Sequence, residues 1–241
     1  MSARNDELTV FFCLDEINST FEVQELNNCT NHFGKVVLLT RESKHLALRG
    51  PKLEVYVFRD EAYQSATYFF RSFKYCALFL LEFFGSIHYL FNFRIFIKRI
   101  SFFLRANYLS DQILRCVQQH SSSNSNIVLY SFWFNQWATA LAILKDRNPD
   151  FFAITRAHGT DLFEERVPKI KRIAFRSFEL KHIDRIFSVS AAGTGYLEKK
   201  YPTHANKVFT SRLGTRDCGI NPFVERGVFT LVSCAKIRNI K

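Results

Sequence analysis

The sequence predicts an α/β fold in which a parallel β-sheet is flanked by helices. Residues 8–14, 36–39 and 53–58 form continuous apolar runs, which are typical of strands buried on both faces. A helical pattern separates the first two runs, so strand, helix and strand follow one another as in a βαβ unit with a right-handed crossover. Hydrophobic residues make up 47% of the 241-residue chain, which is enough to build a core.

The turn after the first predicted strand argues against two common classes of nucleotide-binding protein. Residues 18–20 can cap a helix that extends to about His32 and is ended by Gly34. The turn itself, residues 14–18, contains no Gly-x-Gly-x-x-Gly, and the chain contains no Gly-Lys-Ser/Thr motif. A nicotinamide or flavin dinucleotide site and a phosphate-binding P-loop therefore lose their main support.

The balance of charges favours an anionic partner. The chain has 33 Lys and Arg residues against 22 Asp and Glu residues, a formal net charge of +11. Such a charge suits a phosphate-bearing ligand, an acidic membrane surface or nucleic acid. Six cysteines without a Cys-x-x-Cys pair favour reduced thiols over a zinc site or disulfides, and residues 1–7 lack the apolar core of a signal peptide. We therefore expect a cytoplasmic protein.

Residues 63–119 differ from the rest because aromatic clusters alternate with basic residues. On a helix, Arg94, Lys98 and Arg105 share one face. A transmembrane span is not expected, since charged side chains interrupt every window of about 18–20 residues that a span needs. Basic helices rich in Phe and Leu instead suit the plane of an anionic membrane.

Two other interpretations of this segment stay open. The helices can be internal packing elements with solvated basic edges. Alternating basic and aromatic residues also suit single-stranded nucleic acid, but here the aromatic residues occur in apolar blocks such as residues 79–81. We therefore expect an anionic membrane surface as the partner and no nucleic acid.

The second half of the chain continues the alternation of strands and helices. Pro168 suits the first turn of a helix over about residues 168–182, on which Lys169, Arg172 and Arg176 would form a basic stripe. Strands are predicted at residues 127–131, 151–154, 183–190, 207–211 and 229–234, and further helices at residues 138–145 and 191–200.

A loop of mixed polar residues follows the strand predicted at residues 151–154. Arg156, His158, Gly159 and Asp161 come at its carboxyl end, where ligands gather in open α/β sheets. A ring that titrates near neutrality, beside a glycine that lets a ligand approach, suits a sugar or phosphate site. The alternative is a helix-capping loop in which His158 only bonds a backbone group.

Two further side chains at strand ends are candidates for substrate binding. Trp133 belongs to an aromatic cluster that follows the strand 127–131, and such a cluster can form a stacking wall for a sugar ring. Core packing is the alternative for this cluster. Ser190 is predicted to cap the helix 191–200, whose amino end is a natural anion site.

From about residue 127 onwards, the order of motifs resembles that of one enzyme family. The motifs are ITRAHGTD (154–161), IDRIFSVS (183–190), YLEKKYP (196–202), VFTSRLG (208–214) and LVSCA (231–235), followed by Lys241. In this order they resemble the retaining GT-B glycosyltransferases of family 4 (glycosyl transferases group 1). Residues 8–58 agree with that family in topology only, and residues 63–119 match nothing in it beyond basic helices.

The resemblance implies two Rossmann-like domains facing each other across a cleft, the first for the acceptor and the second for the nucleotide-sugar. It implies no metal ion and no cofactor, because side chains and helix amino ends neutralise the leaving diphosphate. His158 is similar to the family's cleft histidine, which contacts the donor sugar near the reacting carbon. Arg156, Gly159 and Asp161 would shape that loop, and Lys241 would contact the donor diphosphate.

Two departures limit the resemblance. The glycine-rich turn often found after the family's first strand is absent, and the Glu-x7-Glu stretch of the donor domain does not occur before the sequence ends. We expect a first domain at 1–212 that carries the basic aromatic insertion 63–119, a linker at 213–226, and the start of a truncated donor domain at 227–241. On its own, this chain is expected to have little or no transferase activity.

The expected activity is transfer of a hexosyl-type sugar from a nucleotide-sugar to a lipid-linked or polysaccharide acceptor in cell-surface polysaccharide biosynthesis. The enzyme would work in the cytoplasm, peripherally at the inner face of the cell membrane. The alternative is a non-catalytic α/β module whose basic surface binds a membrane or a partner.

Overall fold

The computed structural model describes residues 7–42, 44, 50–58, 66–85, 93–120, 126–167, 172–214 and 219. Seven strands form one sheet in which every pairing is parallel. They are β1 (Thr9–Cys13), β2 (Lys35–Thr40), β3 (Leu53–Val57), β4 (Ile127–Ser131), β5 (Phe152–Ala157), β6 (Arg185–Ser188) and β7 (Val208–Thr210). Helices flank this sheet, so the predicted Rossmann-like α/β fold is confirmed.

The order of the strands creates a crevice beside β1. The sheet runs β3-β2-β1-β4-β5-β6-β7, so the chain leaves β1 on one side and later returns to its other side at β4. Phe11 in β1 lies opposite Val37 of β2 and Leu129 of β4. In open parallel sheets, ligands bind outside the carboxyl ends of the strands at such a reversal.

Eight α-helices are described. The first, which begins at Thr20, has the predicted cap at Ser19. The Glu22 amide donates to Ser19 Oγ (3.4 Å), and the Glu22 carboxylate accepts from the Ser19 amide (2.7 Å). The helices are α1 (Thr20–His32), α2 (Ala66–Arg71), α3 (Cys76–Phe84), α4 (Phe93–His120), α5 (Gln136–Arg147), α6 (Gly159–Leu162), α7 (Arg176–His182) and α8 (Ala191–Lys200), with 3₁₀ turns at Phe73–Tyr75, Glu164–Arg166 and Pro202–Lys207.

The sheet separates two buried clusters. Val10, Phe12 and Tyr130 point to the α1 face, whereas Phe11 and Leu129 point to the opposite face. That opposite face carries the larger cluster, to which α4, α5 and α7 contribute. Helix α5 is buried without a break from Gln136 to Leu144, which makes it the central helix of this layer.

Two predicted elements have different bounds in the structure. Strand β5 extends to Ala157, so Arg156 lies inside the strand and not in the loop after it. Helix α7 begins at Arg176, and Phe175 before it adopts a left-handed conformation (φ 57°). The predicted helix start near residue 168 is therefore wrong for residues 172–175, which are not helical.

The predicted basic stripe is also wrong. Arg172 is not on a helix, and Arg176 is only 3% exposed. Lys169 lies outside the described residues, as do the strand predicted at 229–234, the segment 227–241 and most of the linker 213–226. Among the helices that the structure describes, none combines the length and apolar composition needed to cross a membrane.

Candidate functional site

The candidate site lies where β4 and β5 end at the carboxyl edge of the sheet. Trp133 follows β4, and His158 follows β5 directly. Their ring centroids are 4.2 Å apart with an interplanar angle of 43°, and the Phe132 ring centroid lies 4.9 Å from that of His158. Trp133 remains partly exposed, and the three rings form one cluster.

The imidazole of His158 is the least satisfied polar group of this edge. His158 is 8% exposed, and neither ring nitrogen has a hydrogen-bond partner among the residues that the structure describes. A buried polar group without a partner costs roughly 1–3 kcal/mol, so native structures rarely keep one without a reason. Both nitrogens are also closed to solvent, so a ligand at this edge would supply the missing hydrogen bonds only after a neighbouring side chain moves.

The sequence left open whether the His158 ring bonds a backbone group in a helix-capping loop. In the structure the Asp161 carboxylate makes the backbone contacts at the start of α6 instead. Its Oδ1 accepts from the His158 amide (2.6 Å), and its Oδ2 accepts from the Phe134 amide (2.7 Å). The distance from Oδ2 to His158 Nδ1 is 3.8 Å, which is too long for a hydrogen bond. The carboxylate thus ties the loops after β4 and β5 together and leaves the imidazole unbound.

Arg156 is not brought together with the His158 ring. Within β5, its guanidinium donates to Tyr130 Oη (3.0 Å), to Glu25 Oε1 (2.6 Å) and to the Ser211 carbonyl (2.7 Å). Arg156 is 6% exposed. The neighbouring Tyr130 is also buried, and this burial raises the pKa of its phenol well above the ordinary value. The side chain therefore joins β4, β5, α1 and the segment after β7 on the α1 face.

Gly159 and Ser190 occupy the starts of two helices at the same edge. The Gly159 carbonyl accepts from Arg166 Nη1 (3.1 Å), and a Cβ at Gly159 would stand 3.0 Å from that nitrogen. Ser190 Oγ accepts from the Gly193 amide (3.1 Å), which confirms the predicted cap of α8. The Ser190 hydroxyl is already engaged in this cap, and its predicted contact with substrate stays a prediction.

Sequence reasoning missed the role of Arg176, which binds backbone carbonyls of the loops after β4 and β5. Arg176 Nη2 donates to the carbonyls of Phe134 (3.0 Å) and Asp161 (2.6 Å). Its Nη1 lies 3.2 Å from Glu179 Oε2, and Glu179 Oε1 accepts from the Thr139 hydroxyl. Both charged residues are at most 3% exposed. The sequence carries one signal for this pair, its i, i+3 spacing on a helix, which is not specific.

The stability of the fold should depend on pH through Glu179. Burial raises the pKa of Glu179 to about 7 from an ordinary value of 4.5, against the opposing effects of Arg176 and the Thr139 hydroxyl. Between these two values the folded state holds a proton that the unfolded state has lost. The free energy of unfolding should therefore fall by about 3 kcal/mol as the pH rises from about 4.5 to about 7.

Urea denaturation across this pH range checks the expectation against Glu179→Gln. The amide does not titrate, so the difference between wild type and variant should change within this window and stay constant outside it. Parallel curves for the two proteins would show that Glu179 does not titrate there.

A second notable surface lies on α2, α3 and the amino-terminal half of α4. Among the described residues, eight of the twelve exposed large hydrophobic side chains fall between residues 69 and 97, so the exposure is concentrated there. Ring contacts from Phe84 through Phe83 and Phe96 to Phe93 connect α3 with α4. We call the eight side chains the aromatic face: Phe69, Phe70, Phe73, Leu80, Leu81, Phe84, Phe93 and Ile97.

Lys241 lies outside the described residues. Within the described part of the chain, no three His, Cys, Asp or Glu side chains are grouped in a way that could hold a metal ion. No protein-family model matches this chain, and a search of curated proteins finds no similar sequence.

Proposed function

We propose that this chain is the acceptor-side domain of a retaining GT-B glycosyltransferase. Such an enzyme transfers a hexosyl-type sugar from a nucleotide-sugar to a lipid-linked or polysaccharide acceptor. The observation that carries the proposal is the imidazole of His158, which is nine-tenths buried and unpartnered at the carboxyl edge of β5.

The surroundings of His158 suit a sugar. Sugar rings present hydroxyls to hydrogen-bonding groups and an apolar face to aromatic rings, and here an imidazole and an indole lie 4.2 Å apart. In the neutral imidazole one nitrogen is a donor and the other an acceptor, which suits a pair of hydroxyls. Both nitrogens are covered by protein in this structure, so contact with a sugar requires the imidazole or the Trp133 ring to move. Asp161 and Arg176 hold the loop backbone in place, which limits the reorganisation needed when a sugar binds.

In this proposal His158 acts on the donor sugar near the reacting carbon. A retaining transfer develops positive charge on the sugar and negative charge on the leaving diphosphate. The imidazole would orient the sugar through its hydroxyls, and the amino end of α8 beside Ser190 would face the phosphates. Lys241 remains the proposed contact to the donor diphosphate.

The proposal places the enzyme in the cytoplasm, peripherally at the inner face of the cell membrane. The exposed basic residues Arg94 and Lys98 lie on α4, which also carries Phe93 and Ile97 of the aromatic face. Apolar side chains that insert below the headgroups, beside cations that attract anionic lipid, are the two features of an interfacial helix. Such contact would bring a lipid-linked acceptor to the sheet edge.

Sugar binding tests the site on the chain itself. Trp133 and Trp137 are the two tryptophans of the sequence, and only Trp133 contacts His158. In ¹H–¹⁵N NMR titrations with a panel of hexose and N-acetylhexosamine 1-phosphates, at least one sugar should shift the Trp133 indole signal. Trp133→Leu lacks this signal, so its binding is followed through the backbone amides of residues 157–160. The variant should bind the sugar about two- to tenfold more weakly, since stacking contributes about 0.5–1.5 kcal/mol.

His158→Phe provides the second variant because it keeps an aromatic ring and removes both nitrogens. This variant should bind the same sugar more weakly. Its melting temperature should stay near that of wild type, since no hydrogen bond within the described residues is lost. The exposed Phe209→Leu, on β7, serves as the control and should bind like wild type. A panel in which no sugar shifts the Trp133 signal would refute the proposed site.

The aromatic face favours one alternative, a non-catalytic module that binds a membrane or a partner. Binding to a membrane or a partner would by itself account for the exposed rings, without a sugar site. In that case the chain would bind vesicles fully in the absence of any sugar ligand, and Trp133→Leu and His158→Phe would change no binding property. Sugar-dependent shifts at Trp133 separate the glycosyltransferase domain from this module.

A further inference from the structure

We infer that a pocket between α4 and the loop before α7 binds the apolar chain and phosphate of a single-chain lipid phosphate. The pocket encloses about 390 Å³ and lies beside the loop that carries His158. The inference rests on the proposed function in one respect only: it takes this lipid phosphate to be the lipid part of the acceptor.

The pocket has apolar walls that suit a hydrocarbon chain. Ile95 and Phe102 come from α4, Phe134 from the loop after β4, and Val167 and Ile173 from the segment between α6 and α7. Ligand pockets span about 300–1,000 Å³, so this one is at the small end. A pocket of this size fits one chain better than the paired chains of a bilayer phospholipid.

Positive charge along the pocket complements a phosphate. Lys98, Arg99 and Arg172 line the pocket. Lys98 is exposed and makes no ion pair with any residue in the described ranges. Glu82 is shared between the other two, at 3.8 Å from Arg99 Nη1 and 3.3 Å from Arg172 Nη2. Lys98, Arg99, Arg172 and Glu82 together carry three positive charges and one negative charge.

The acids that line the pocket are engaged elsewhere. Asp161 accepts from two backbone amides, those of His158 and Phe134. Glu179 is paired with Arg176 and accepts from a hydroxyl. Neither carboxylate forms an ion pair with Lys98, so an anionic lipid headgroup can take that place.

The pocket lies next to both the loop of the candidate sugar site and the aromatic face. Asp161 and Thr160 belong to its lining, so the pocket borders the loop that follows His158. Helix α4 supplies Ile95 to the pocket and Phe93 and Ile97 to the aromatic face. A lipid could thus enter from the membrane along α4 and present its phosphate-linked sugar near the loop of His158.

Geranyl monophosphate, below its micelle concentration, is the probe for isothermal titration calorimetry with the whole chain. It should bind at one site per chain, whereas geraniol should bind at least about tenfold more weakly and inorganic phosphate should show no saturation. Ile95→Trp should weaken geranyl monophosphate at least about tenfold by filling the pocket, since two excluded methylene groups already account for that factor. Lys98→Ala should weaken it about threefold.

Matched controls lie on the same helix. Ile97→Trp and Arg94→Ala change exposed positions that do not line the pocket, and both should bind geranyl monophosphate like wild type. Circular dichroism and melting curves verify that each variant is folded. Equal binding of geraniol and geranyl monophosphate, or no effect of Ile95→Trp, would overturn the inference. Tighter binding of dihexanoyl phosphatidic acid would also overturn it, in favour of a bilayer phospholipid.

The outcome separates this inference from the proposed function. If sugars shift the Trp133 signal but geranyl monophosphate does not bind, the pocket assignment fails and the glycosyltransferase proposal stands. If geranyl monophosphate binds as expected but no sugar does, the pocket is a lipid phosphate site and the glycosyltransferase proposal fails.

Discussion

Arg176→Met is expected to lower the free energy of unfolding by about 3–5 kcal/mol at about pH 8, because removing one partner strands a buried charge. The substitution removes the cation that lies 3.2 Å from Glu179 Oε2 and leaves the carboxylate 1% exposed. It also leaves the carbonyls of Phe134 and Asp161 without their donor. Urea denaturation followed by tryptophan fluorescence measures the loss.

The pH dependence makes this expectation specific to the ion pair. Burial raises the pKa of Glu179 to about 7, so at about pH 5 the carboxyl is protonated and the loss on Arg176→Met should be smaller than at about pH 8. The double variant Arg176→Met/Glu179→Leu should recover part of the stability, since no charge is then stranded. Arg185→Met, at an exposed arginine of β6, should stay within about 0.5 kcal/mol of wild type. A loss at Arg176 as small as at Arg185 would contradict the described network.

Arg176 also links the stability of the core to the candidate site. Its guanidinium holds the Phe134 carbonyl, while the amide of the same residue donates to Asp161. Asp161 in turn holds the amide of His158. Loss of Arg176 should therefore loosen the loops after β4 and β5 together, and sugar binding at Trp133 should weaken even at temperatures where the variant is folded.

The sheet was predictable because its information is local. Strands buried on both faces appear as apolar runs, and β4 has the predicted bounds, residues 127–131. The same holds for α8, where Ser190 caps the start and the helix ends at Lys200 as predicted. Patterns of this kind need no knowledge of distant residues.

The buried arginines were not predictable, because their partners are remote in sequence. Arg156 extends β5 beyond the apolar run, and it is neutralised by Glu25, 131 residues away. Arg176 was predicted to belong to a basic stripe, but α7 begins only at Arg176, after Phe175 in a left-handed conformation. Sequence patterns assigned Arg156 to a loop and Arg176 to a basic stripe, and only the tertiary contacts show that both are buried.

The position of the site was predictable from the sequence, but the role of each side chain in it was not. The loop after β5 and the aromatic cluster after β4 do meet at one edge, as parallel strand ends must. Which side chain caps α6 depends on geometry within the loop, where Asp161 reaches the amides and the imidazole does not. Composition indicated the basic aromatic helices, but the exposure of individual rings required the packed structure.

Exposed apolar side chains of the aromatic face are expected to drive membrane contact. Leu81→Ser/Phe84→Ser should lower partitioning onto anionic vesicles by about 100-fold, since each apolar side chain removed from water contributes about 1.5 kcal/mol or more. Both side chains are at least 70% exposed, so the melting temperature should change little. Co-sedimentation with vesicles of phosphatidylcholine and phosphatidylserine measures the partitioning. Phe21→Ser/Val23→Ser, on exposed positions of α1, is the matched control and should bind like wild type.

Salt separates the two contributions to membrane contact. Exposed charges are screened beyond about 10 Å at 0.1 M salt, whereas insertion of apolar side chains persists. Arg94→Ala should therefore flatten the salt dependence of binding, while Leu81→Ser/Phe84→Ser should weaken binding at every salt concentration. Equal binding to neutral and anionic vesicles would remove the electrostatic part of the proposal. Binding that both double variants reduce equally would mean that the aromatic face is not the membrane surface, and that α2, α3 and α4 serve internal packing or another partner.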